Sequence, residues 1–301
     1  MILHKDKDFF DEIVKQTSLH YGIEVPIIEK DYYVTLFLLG LKKNVPGLIF
    51  KGGTSLSKCF KIIDRFSEDI DITLDVVYWS QGNRKKLKSV IIDICDKLGL
   101  KLMNQEDIRS RRNYNCYKID YLSKYAVPGL NPQLLVETVY INCSFPTETK
   151  QASSIIYDYL KEVGLNEVID RYEMFPFDIV VQKLERTLVD KVFAICDYML
   201  LNKINCHSRH IYDIYKLLSI VKLDDGLKAL ITEVRNDRKT NERCLSAKDG
   251  INISNLLNKI IIEEIYKKDY NNITEKLLYK VVKYEEAIKA IEDIRNSKVF
   301  E

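Results

Sequence analysis

Two aspartates stand one residue apart at the start of the alternating segment D-I-D-I-T-L-D-V, residues 69–76. The alternation predicts a β-strand with Asp69 and Asp71 on one face and the aliphatic residues on the other. Carboxylates two residues apart on one face repel each other, and nothing in the local sequence neutralises them. A divalent cation would do so, and hard oxygen ligands suit Mg²⁺ or Mn²⁺. A solvated polar face is the simpler alternative, and it accounts well for Thr73 and Asp75.

A glycine pair precedes this strand in the segment FKGGTSLSK. Gly52 and Gly53 follow a short apolar run, LIF, and precede a helix predicted to begin at Thr54-Ser55. A turn without side chains lets a phosphate approach the backbone, and a helix N-terminus offers unpaired N–H groups to it. A lone glycine pair would indicate only a turn. The full array of strand, glycine pair, helix and paired aspartates is far more specific, and it predicts a phosphate site beside a metal site.

The remaining elements must position these residues. Periodicity predicts helices over 7–19, 27–42 and 82–98, and strands over 113–122 and 134–142. After Pro146 the pattern becomes helical, with predicted helices at 151–163, 179–201, 208–220, 225–236, 250–267 and 271–296. The sequence therefore predicts an α+β protein: an α/β core domain with a mixed sheet in residues 1–146, followed by a mainly helical domain in residues 147–301.

The composition is that of an ordinary globular protein. The chain has 301 residues, 46% of them apolar and 30% charged, with a net charge of +2. Any affinity for nucleic acid must therefore come from local patches. Seven cysteines without a CxxC pair disfavour a disulfide framework and a zinc site. Neither a signal-peptide pattern nor a long apolar run occurs, so we expect a cytoplasmic protein without a membrane span.

Three phrases together resemble one family. EKDYYVTLFL (29–38), FKGGTSLSK (50–58) and RFSEDIDI (65–72) are similar to phrases of the AbiEii/AbiGii-type nucleotidyltransferases, the toxins of bacterial type IV toxin–antitoxin and phage-defence systems. Their fold is that of the DNA polymerase β-like nucleotidyltransferases. The resemblance implies transfer of a nucleoside monophosphate from an NTP to an acceptor hydroxyl with release of pyrophosphate. It also implies Mg²⁺ or Mn²⁺ as cofactor, a separately encoded antitoxin, and an RNA or tRNA end as acceptor.

Such enzymes need a third carboxylate from a neighbouring strand to complete a two-metal site. Glu137 in LLVETVYIN is the first candidate, because an unpaired charge among apolar strand residues is costly. The family also carries a glutamate in a similar phrase. Asp120 in CYKIDYL is the alternative. We therefore expect Asp69, Asp71 and Glu137 to be catalytic metal ligands.

The resemblance assigns further roles. The glycine turn with its two hydroxyl residues, 52–55, would seat the triphosphate, and the helical half would complete the nucleotide and acceptor cleft. Asp190-Lys191 resembles an acidic-Lys pair of the family, and 209–213 (RHIYD) resembles its RDxxD-like phrase. Lys191 and Asp213 match catalytic positions, and Lys191 and Arg209 match nucleotide-binding positions. His210 replaces the first aspartate of that phrase, which leaves its role open.

These residues also have simpler interpretations without a catalytic or nucleotide-binding role. Lys191 could extend its ammonium to solvent, and Arg209 and Asp213 could form a surface ion pair. Two basic groups, at 109–112 and 235–243, are candidate RNA contacts, although charge runs are usually solvated faces. Two other functions stay open at this point. One is a nucleotide-binding module without turnover, and the other is a nucleotidyltransferase that acts on a small molecule.

Overall fold

The computed structural model describes residues 2–80, 82–125, 132–141 and 145–301. The chain forms two compact units. The first comprises Met1–Lys61 and Ser67–Gln182, and the second comprises Ile62–Phe66 and Lys183–Glu301. The sequence-based boundary at 146/147 falls earlier than the division at 182/183, because two strands between these points belong to the sheet of the first unit.

The first unit is built on a seven-stranded mixed sheet. Its strands are β1 (Leu48–Lys51), β2 (Asp69–Asp75), β3 (Lys101–Leu102), β4 (Tyr114–Asp120), β5 (Gln133–Ile141), β6 (Thr147–Ala152) and β7 (Phe177–Gln182). Their order across the sheet is β3-β4-β5-β2-β1-β7-β6. β2 runs parallel to β5, β1 runs parallel to β7, and the other neighbours are antiparallel. The predicted α+β class with a mixed sheet is confirmed.

Among the described residues, six α-helices accompany the sheet: α1 (Lys7–Tyr21), α2 (Val25–Asn44), α3 (Gly52–Lys58), α4 (Arg84–Leu98), α5 (Ile155–Glu162) and α6 (Asn166–Tyr172). The apolar face of β2, formed by Ile70, Ile72 and Leu74, is fully buried in one core together with residues of α2 and α4. A Cβ built on Gly40 of α2 would lie 3.0 Å from Ile94 of α4, so glycine allows these two helices to approach closely.

The second unit is helical. It contains α7 (Leu184–Leu200), α8 (Arg209–Leu218), α9 (Asp225–Lys239), α10 (Ile253–Ile262), α11 (Lys267–Asp269), α12 (Glu275–Leu277), α13 (Tyr284–Ala287) and α14 (Lys289–Ser297), with a π-helical turn at Tyr270–Thr274 between α11 and α12. The apolar face of α7, which includes Leu188, Val192 and Ile195, is buried. Among the described residues, no helix has both the length and the apolar character needed to cross a bilayer.

Three predicted helices differ from the observed ones. The helix predicted over 179–201 begins at Leu184, because β7 occupies the preceding residues with alternating exposure of Asp178, Ile179 and Val180. The helix predicted to begin at Thr54-Ser55 is α3, which begins two residues earlier at Gly52 and ends at Lys58. The helix predicted over 271–296 is interrupted between α12 and α13, where Leu278 adopts an extended conformation and bridges to Arg65.

Helix α2 buries three consecutive charged residues, Glu29, Lys30 and Asp31. Successive residues of an α-helix point about 100° apart, so three consecutive residues can all be buried only where protein surrounds the helix. The Asp31 carboxylate accepts hydrogen bonds from Lys58 Nζ at 2.5 Å and from the backbone N–H of Ile155 at 2.8 Å. It thereby joins α2 to the end of α3 and the start of α5.

Asp31→Asn is therefore expected to lower the free energy of unfolding by about 3–5 kcal/mol, because it leaves the buried Lys58 ammonium without its counter-charge. Asp11→Asn is the matched control, since its partner Lys124 is half exposed, and it should cost less than about 1 kcal/mol. Urea denaturation measures both. Equal effects of the two substitutions would contradict this role of Asp31.

Candidate active site

The two aspartates of the opening segment lie on one face of β2, opposite its buried aliphatic face. Asp69 and Asp71 are partly exposed, whereas Ile70 and Ile72 are fully buried. The strand prediction and the separation of its faces are thus confirmed. Asp75 ends the strand, where its Oδ1 accepts a hydrogen bond from the backbone N–H of Val77 at 3.0 Å, which is the role of a turn residue.

Glu137 stands directly beside Asp71. In the parallel pairing of β2 with β5 the register places Asp71 opposite Glu137, and paired residues of adjacent strands project to the same face. The row continues in both directions, with Lys51 of β1 opposite Asp71 and Cys116 of β4 opposite Glu137. One lysine and two carboxylates therefore share a row across the centre of the sheet, with Asp69 two residues along on the same face.

The electrostatics of Glu137 reflect this crowding. Burial, together with the negative charges of Asp71 and Asp69, raises the pKa of Glu137 to about 7. The hydrogen bond with Tyr114 and the positive charge of Lys51 act in the opposite direction and lower this pKa in part. The Tyr114 hydroxyl hydrogen-bonds to Glu137, and burial and the adjacent carboxylate raise the pKa of this phenol above its ordinary value. Without a cation, a charge on Glu137 is thus unfavourable at neutral pH, as expected for adjacent carboxylates.

The glycine turn packs against the same carboxylates. Gly52 has a φ of +77°, and a Cβ built on it would lie 2.1 Å from Asp71 Oδ2. Glycine is thus required for two reasons, the left-handed backbone and the close approach of the turn to Asp71. This contact joins the two features that the sequence singled out, because the glycine pair lies directly over an aspartate of the acidic pair.

Thr54 and Ser55 have buried side chains whose hydroxyls bind the protein itself. Thr54 Oγ1 donates to the backbone carbonyl of Asp69 and lies 3.0 Å from the hydroxyl of Ser67. Ser55 Oγ donates to the carbonyl of Gly52 at 2.8 Å. In this structure the two hydroxyls hold the turn and the start of β2 in place, so any contact of these residues with a phosphate would come from their backbone N–H groups.

The three carboxylates fit a hard divalent cation in donor chemistry and in register. All are oxygen ligands on one face, and the raised pKa of Glu137 indicates negative charge that a cation would neutralise. Within the parts of the chain that the structure describes, no group of three or more His, Cys, Asp or Glu side chains is already assembled as a metal site. The carboxylates are therefore neighbours that would have to rotate towards a common cation.

Asp120, the alternative third carboxylate, lies farther away. It ends β4 and pairs with Gln133, four residues along the strand from the Cys116–Glu137 pair. Its Oδ1 accepts a hydrogen bond from the backbone N–H of Leu122 at 2.8 Å. This geometry favours Glu137 over Asp120 as the partner of the two aspartates.

Lys191 and Asp213 belong to a buried charge cluster in the second unit. Arg65 donates to both Asp213 oxygens, each at 2.7 Å, and Lys191 Nζ donates to Oδ2 at 2.6 Å. Burial alone would raise the pKa of Asp213, but the charges of Arg65 and Lys191 outweigh it and hold the pKa well below its usual range. Lys191 is therefore buried and does not snorkel to solvent, and Asp213 pairs with Arg65 and Lys191.

His210 borders this cluster, with its Nδ1 3.5 Å from Lys191 Nζ. Burial and the positive charge of Lys191 hold the pKa of His210 well below its ordinary value, so the ring is neutral. Arg209 is the first residue of α8 and is partly exposed. The nucleotide-binding role of Lys191 and Arg209 and the catalytic role of Asp213 stay predictions.

The two basic groups differ in their surroundings. In the 235–243 group, Arg238 binds Asp190 and Asp197 at 3.3 and 3.0 Å, and Lys239 pairs with Asp249. Ion pairs within the protein therefore engage two of the four basic residues of the 235–243 group, which weakens the expectation of an RNA-binding patch there. Arg109, Arg111 and Arg112 are exposed, and the ion pairs among the described residues include none of them.

Two residues that influence the pKa of Glu137 were not predicted from the sequence. Lys51 and Tyr114 both act on Glu137. A signal for Lys51 existed, because it is the last residue of an apolar strand immediately before the glycine pair. Tyr114 could be found only through the register of β4 with β5, which periodicity does not predict.

Gly52→Ala is expected to destabilise the protein more than the equivalent change at another left-handed glycine. Gly99 has a φ of +69° and open space around its would-be Cβ, so Gly99→Ala measures backbone strain alone; we expect about 1 kcal/mol. The collision with Asp71 should add about 1–3 kcal/mol at Gly52. Thermal melting of both variants tests this, and equal melting temperatures would contradict the packing of the turn on Asp71.

The raised pKa of Glu137 predicts a pH-dependent stability in EDTA. Between pH 4.5, the ordinary value, and about pH 7 the folded protein keeps a proton that the unfolded chain releases, so stability falls as pH rises through this window. Glu137→Gln removes the effect. The variant should gain roughly 1–3 kcal/mol over the wild type between pH 5 and pH 8 in urea denaturation, whereas Glu167→Gln, at an exposed carboxylate, should show a constant difference.

Comparison with known proteins places this chain in a family. A model of the nucleotidyl transferase AbiEii toxin family, type IV toxin–antitoxin system, matches residues 37–294. The structure is similar to MenT4, a nucleotidyltransferase toxin from Mycobacterium tuberculosis H37Rv, with a TM-score of 0.51 and 15% identity, over 94% of this chain and 97% of that one. At this identity the likeness shows a shared fold. No curated protein sequence gives a significant match. The family match covers most of the chain and agrees with the resemblance of its three phrases, so the chain belongs to the AbiEii family of nucleotidyltransferase toxins of type IV toxin–antitoxin systems.

Proposed function

We propose that this nucleotidyltransferase moves a nucleoside monophosphate from an NTP to the terminal hydroxyl of an RNA, with tRNA as the first candidate, in a reaction that depends on Mg²⁺ or Mn²⁺. The observation that carries the proposal is the row in which Asp71 stands beside Glu137, with Asp69 on the same face and Gly52 packed on Asp71. Carboxylates on adjacent strands next to a tight glycine turn provide metal ligands beside room for a phosphate chain.

In this proposal Asp69, Asp71 and Glu137 hold the cation. Bound Mg²⁺ supplies charge neutralisation for the phosphates and lowers the pKa of an attacking hydroxyl. The backbone of Gly52, Gly53, Thr54 and Ser55 orients the triphosphate, since the hydroxyls of the last two are engaged inside the protein. Tyr114 and Lys51 set the charge of Glu137 and so keep it available as a ligand near neutral pH.

The proposed RNA contact is the loop that leads into β4. Arg109, Arg111 and Arg112 are exposed there, and the following strand carries Tyr114 and then the partner of Glu137 on the carboxylate face. The loop is held by its backbone, since Asn115 binds both the N–H and the carbonyl of Arg109. The Arg109 guanidinium also donates to the carbonyls of Glu106 and Ile108, and the Arg112 guanidinium donates to the carbonyl of Asp107, all within the same loop. The remaining N–H groups of the arginines can bind phosphates, and such contacts give affinity without sequence specificity.

Membership of a type IV toxin–antitoxin family implies an NTP substrate and a cognate antitoxin. A tRNA whose 3′ end carries added nucleotides can no longer be aminoacylated. A few turnovers per tRNA would therefore suffice to stop translation, and we propose this as the basis of toxicity and of a role in phage defence.

Asp69→Asn and Asp71→Asn are each expected to lower transfer by at least about 100-fold, while melting temperature holds or rises because a like charge is removed. Asp75→Asn is the matched control, since this residue lies on the same face of β2 but caps a turn. Each labelled NTP is incubated with protein, Mg²⁺ and total bacterial RNA, and the labelled product is identified. Transfer that survives both substitutions would remove the aspartates from the mechanism, and label found only in protein or small molecules would exclude RNA as acceptor.

Replacing Arg109, Arg111 and Arg112 together with Ala should relieve growth inhibition and weaken RNA binding by about 10-fold or more at low salt, while NTP binding stays unchanged. The control variant replaces three exposed lysines, Lys42, Lys43 and Lys85, with Ala. These lysines belong to helices that pack on the opposite face of the sheet, so the control removes the same amount of charge away from the proposed site. Filter binding over a salt series and growth after induction measure the outcome. If both triple variants weaken RNA binding equally, net charge rather than this loop is responsible.

A further inference from the structure

The phrase EKD of α2, residues 29–31, has no role in the proposed chemistry, yet its lysine binds the residue that directly precedes Asp69. Lys30 is fully buried, and its ammonium donates a hydrogen bond to Glu68, whose side chain is 22% exposed. Glu68 immediately precedes Asp69, the first residue of β2. A buried ammonium is expensive unless paired, so this contact is a specific feature of the fold.

The start of β2 needs such an anchor, because the sheet supports it on one side only. β1 pairs with β2 from Leu74 back to Asp71 and then turns into α3, so Asp69 lies beyond the end of β1. β5 alone pairs with Asp69 within the sheet, through Leu135. A residue at this position keeps its direction only if contacts outside the sheet hold it.

Two contacts from outside the sheet meet this need. Thr54 Oγ1 of α3 donates to the backbone carbonyl of Asp69. Lys30 of α2 holds the side chain of the preceding residue, Glu68. Burial lowers the pKa of Lys30, and the negative charges of Glu68 and then Asp69 oppose this shift.

The two charged neighbours of Lys30, Glu29 and Asp31, bind other segments of the chain. Glu29 accepts a hydrogen bond from Ser123, and Asp31 binds Lys58 and the start of α5. The three residues thus fix three different segments, and Lys30 alone is directed at the acidic pair.

We infer that Lys30 is a positioning residue of the nucleotidyltransferase site, which holds Glu68 and thereby fixes the start of β2 and the direction of the Asp69 carboxylate. The inference rests on the proposed function, in which Asp69 is a metal ligand. It makes Lys30 and Glu68 one functional unit that touches neither substrate nor cation. A shift of about 1 Å in a ligand can cost about 100-fold in rate, so the loss should appear in turnover.

Lys30→Met tests the inference, with NTP binding by calorimetry as the measurement that does not depend on turnover. We expect kcat per folded molecule to fall about 10- to 100-fold, with KM and the calorimetric Kd for NTP changed less than about threefold, since the Gly52 turn is untouched. Lys58→Met is the control, a second buried lysine paired with a carboxylate, Asp31. It should lower the melting temperature at least as much, yet change kcat per folded molecule less than about threefold.

A double-mutant cycle then identifies the partner. Glu68→Gln should lower kcat in the same direction as Lys30→Met, and the double variant should lose no more than the larger single loss, because the two residues act together. Additive losses would show that Lys30 does not act through Glu68, and an unchanged kcat in Lys30→Met would overturn the inference. Asp69→Asn in the same assay distinguishes the two failures: if it too keeps its activity, the proposed function fails, and if only Lys30→Met does, the positioning role alone is wrong.

Discussion

The parallel pairing of β2 with β5 is the constraint on which the proposed site depends. Its register places Asp71 beside Glu137 on one face while Ile70, Ile72 and Val136 fill the core on the other. A slip of one residue would bury the aspartates and expose the aliphatic side chains. The apolar face therefore fixes the position of the carboxylates, and folding itself brings like charges together without a cation being needed to align the strands.

Much of this arrangement could be predicted from the sequence, for identifiable reasons. The alternation of β2 is free of errors, so the common face of Asp69 and Asp71 follows from period two alone. Glu137 stands out as a charge within an otherwise apolar strand, and β5 is long enough for its pattern to be unambiguous. The glycine pair is informative because Gly52 adopts a positive φ against a carboxylate, which no other residue type could do without strain.

What could not be predicted depends on contacts between distant residues. β7 alternates over Phe177–Gln182 but runs almost directly into α7, so the apolar residues of the whole segment also fit one continuous helix. Arg65 and Asp213 are far apart in sequence, and only the fold shows that the arginine of RFSEDIDI binds the aspartate of the RHIYD phrase. The family resemblance singles out Lys191 and Asp213, whereas local patterns favour a snorkelling lysine and a surface ion pair. Whether a charge is buried and paired is decided by tertiary packing.

The buried charges of the first unit suggest why a fold with ample apolar sequence retains them. Ion pairs such as Lys58–Asp31 are weak sources of net stability, because desolvation offsets most of their attraction. Their value lies in direction, since a hydrogen-bonded pair holds its atoms in one arrangement where aliphatic packing tolerates several. Repulsion between Asp71 and Glu137 would drive these side chains apart in any loosely packed strand. A strand end that must hold carboxylates close together therefore benefits from anchors outside the sheet, and Thr54 and Lys30 provide them at the point where β1 no longer does.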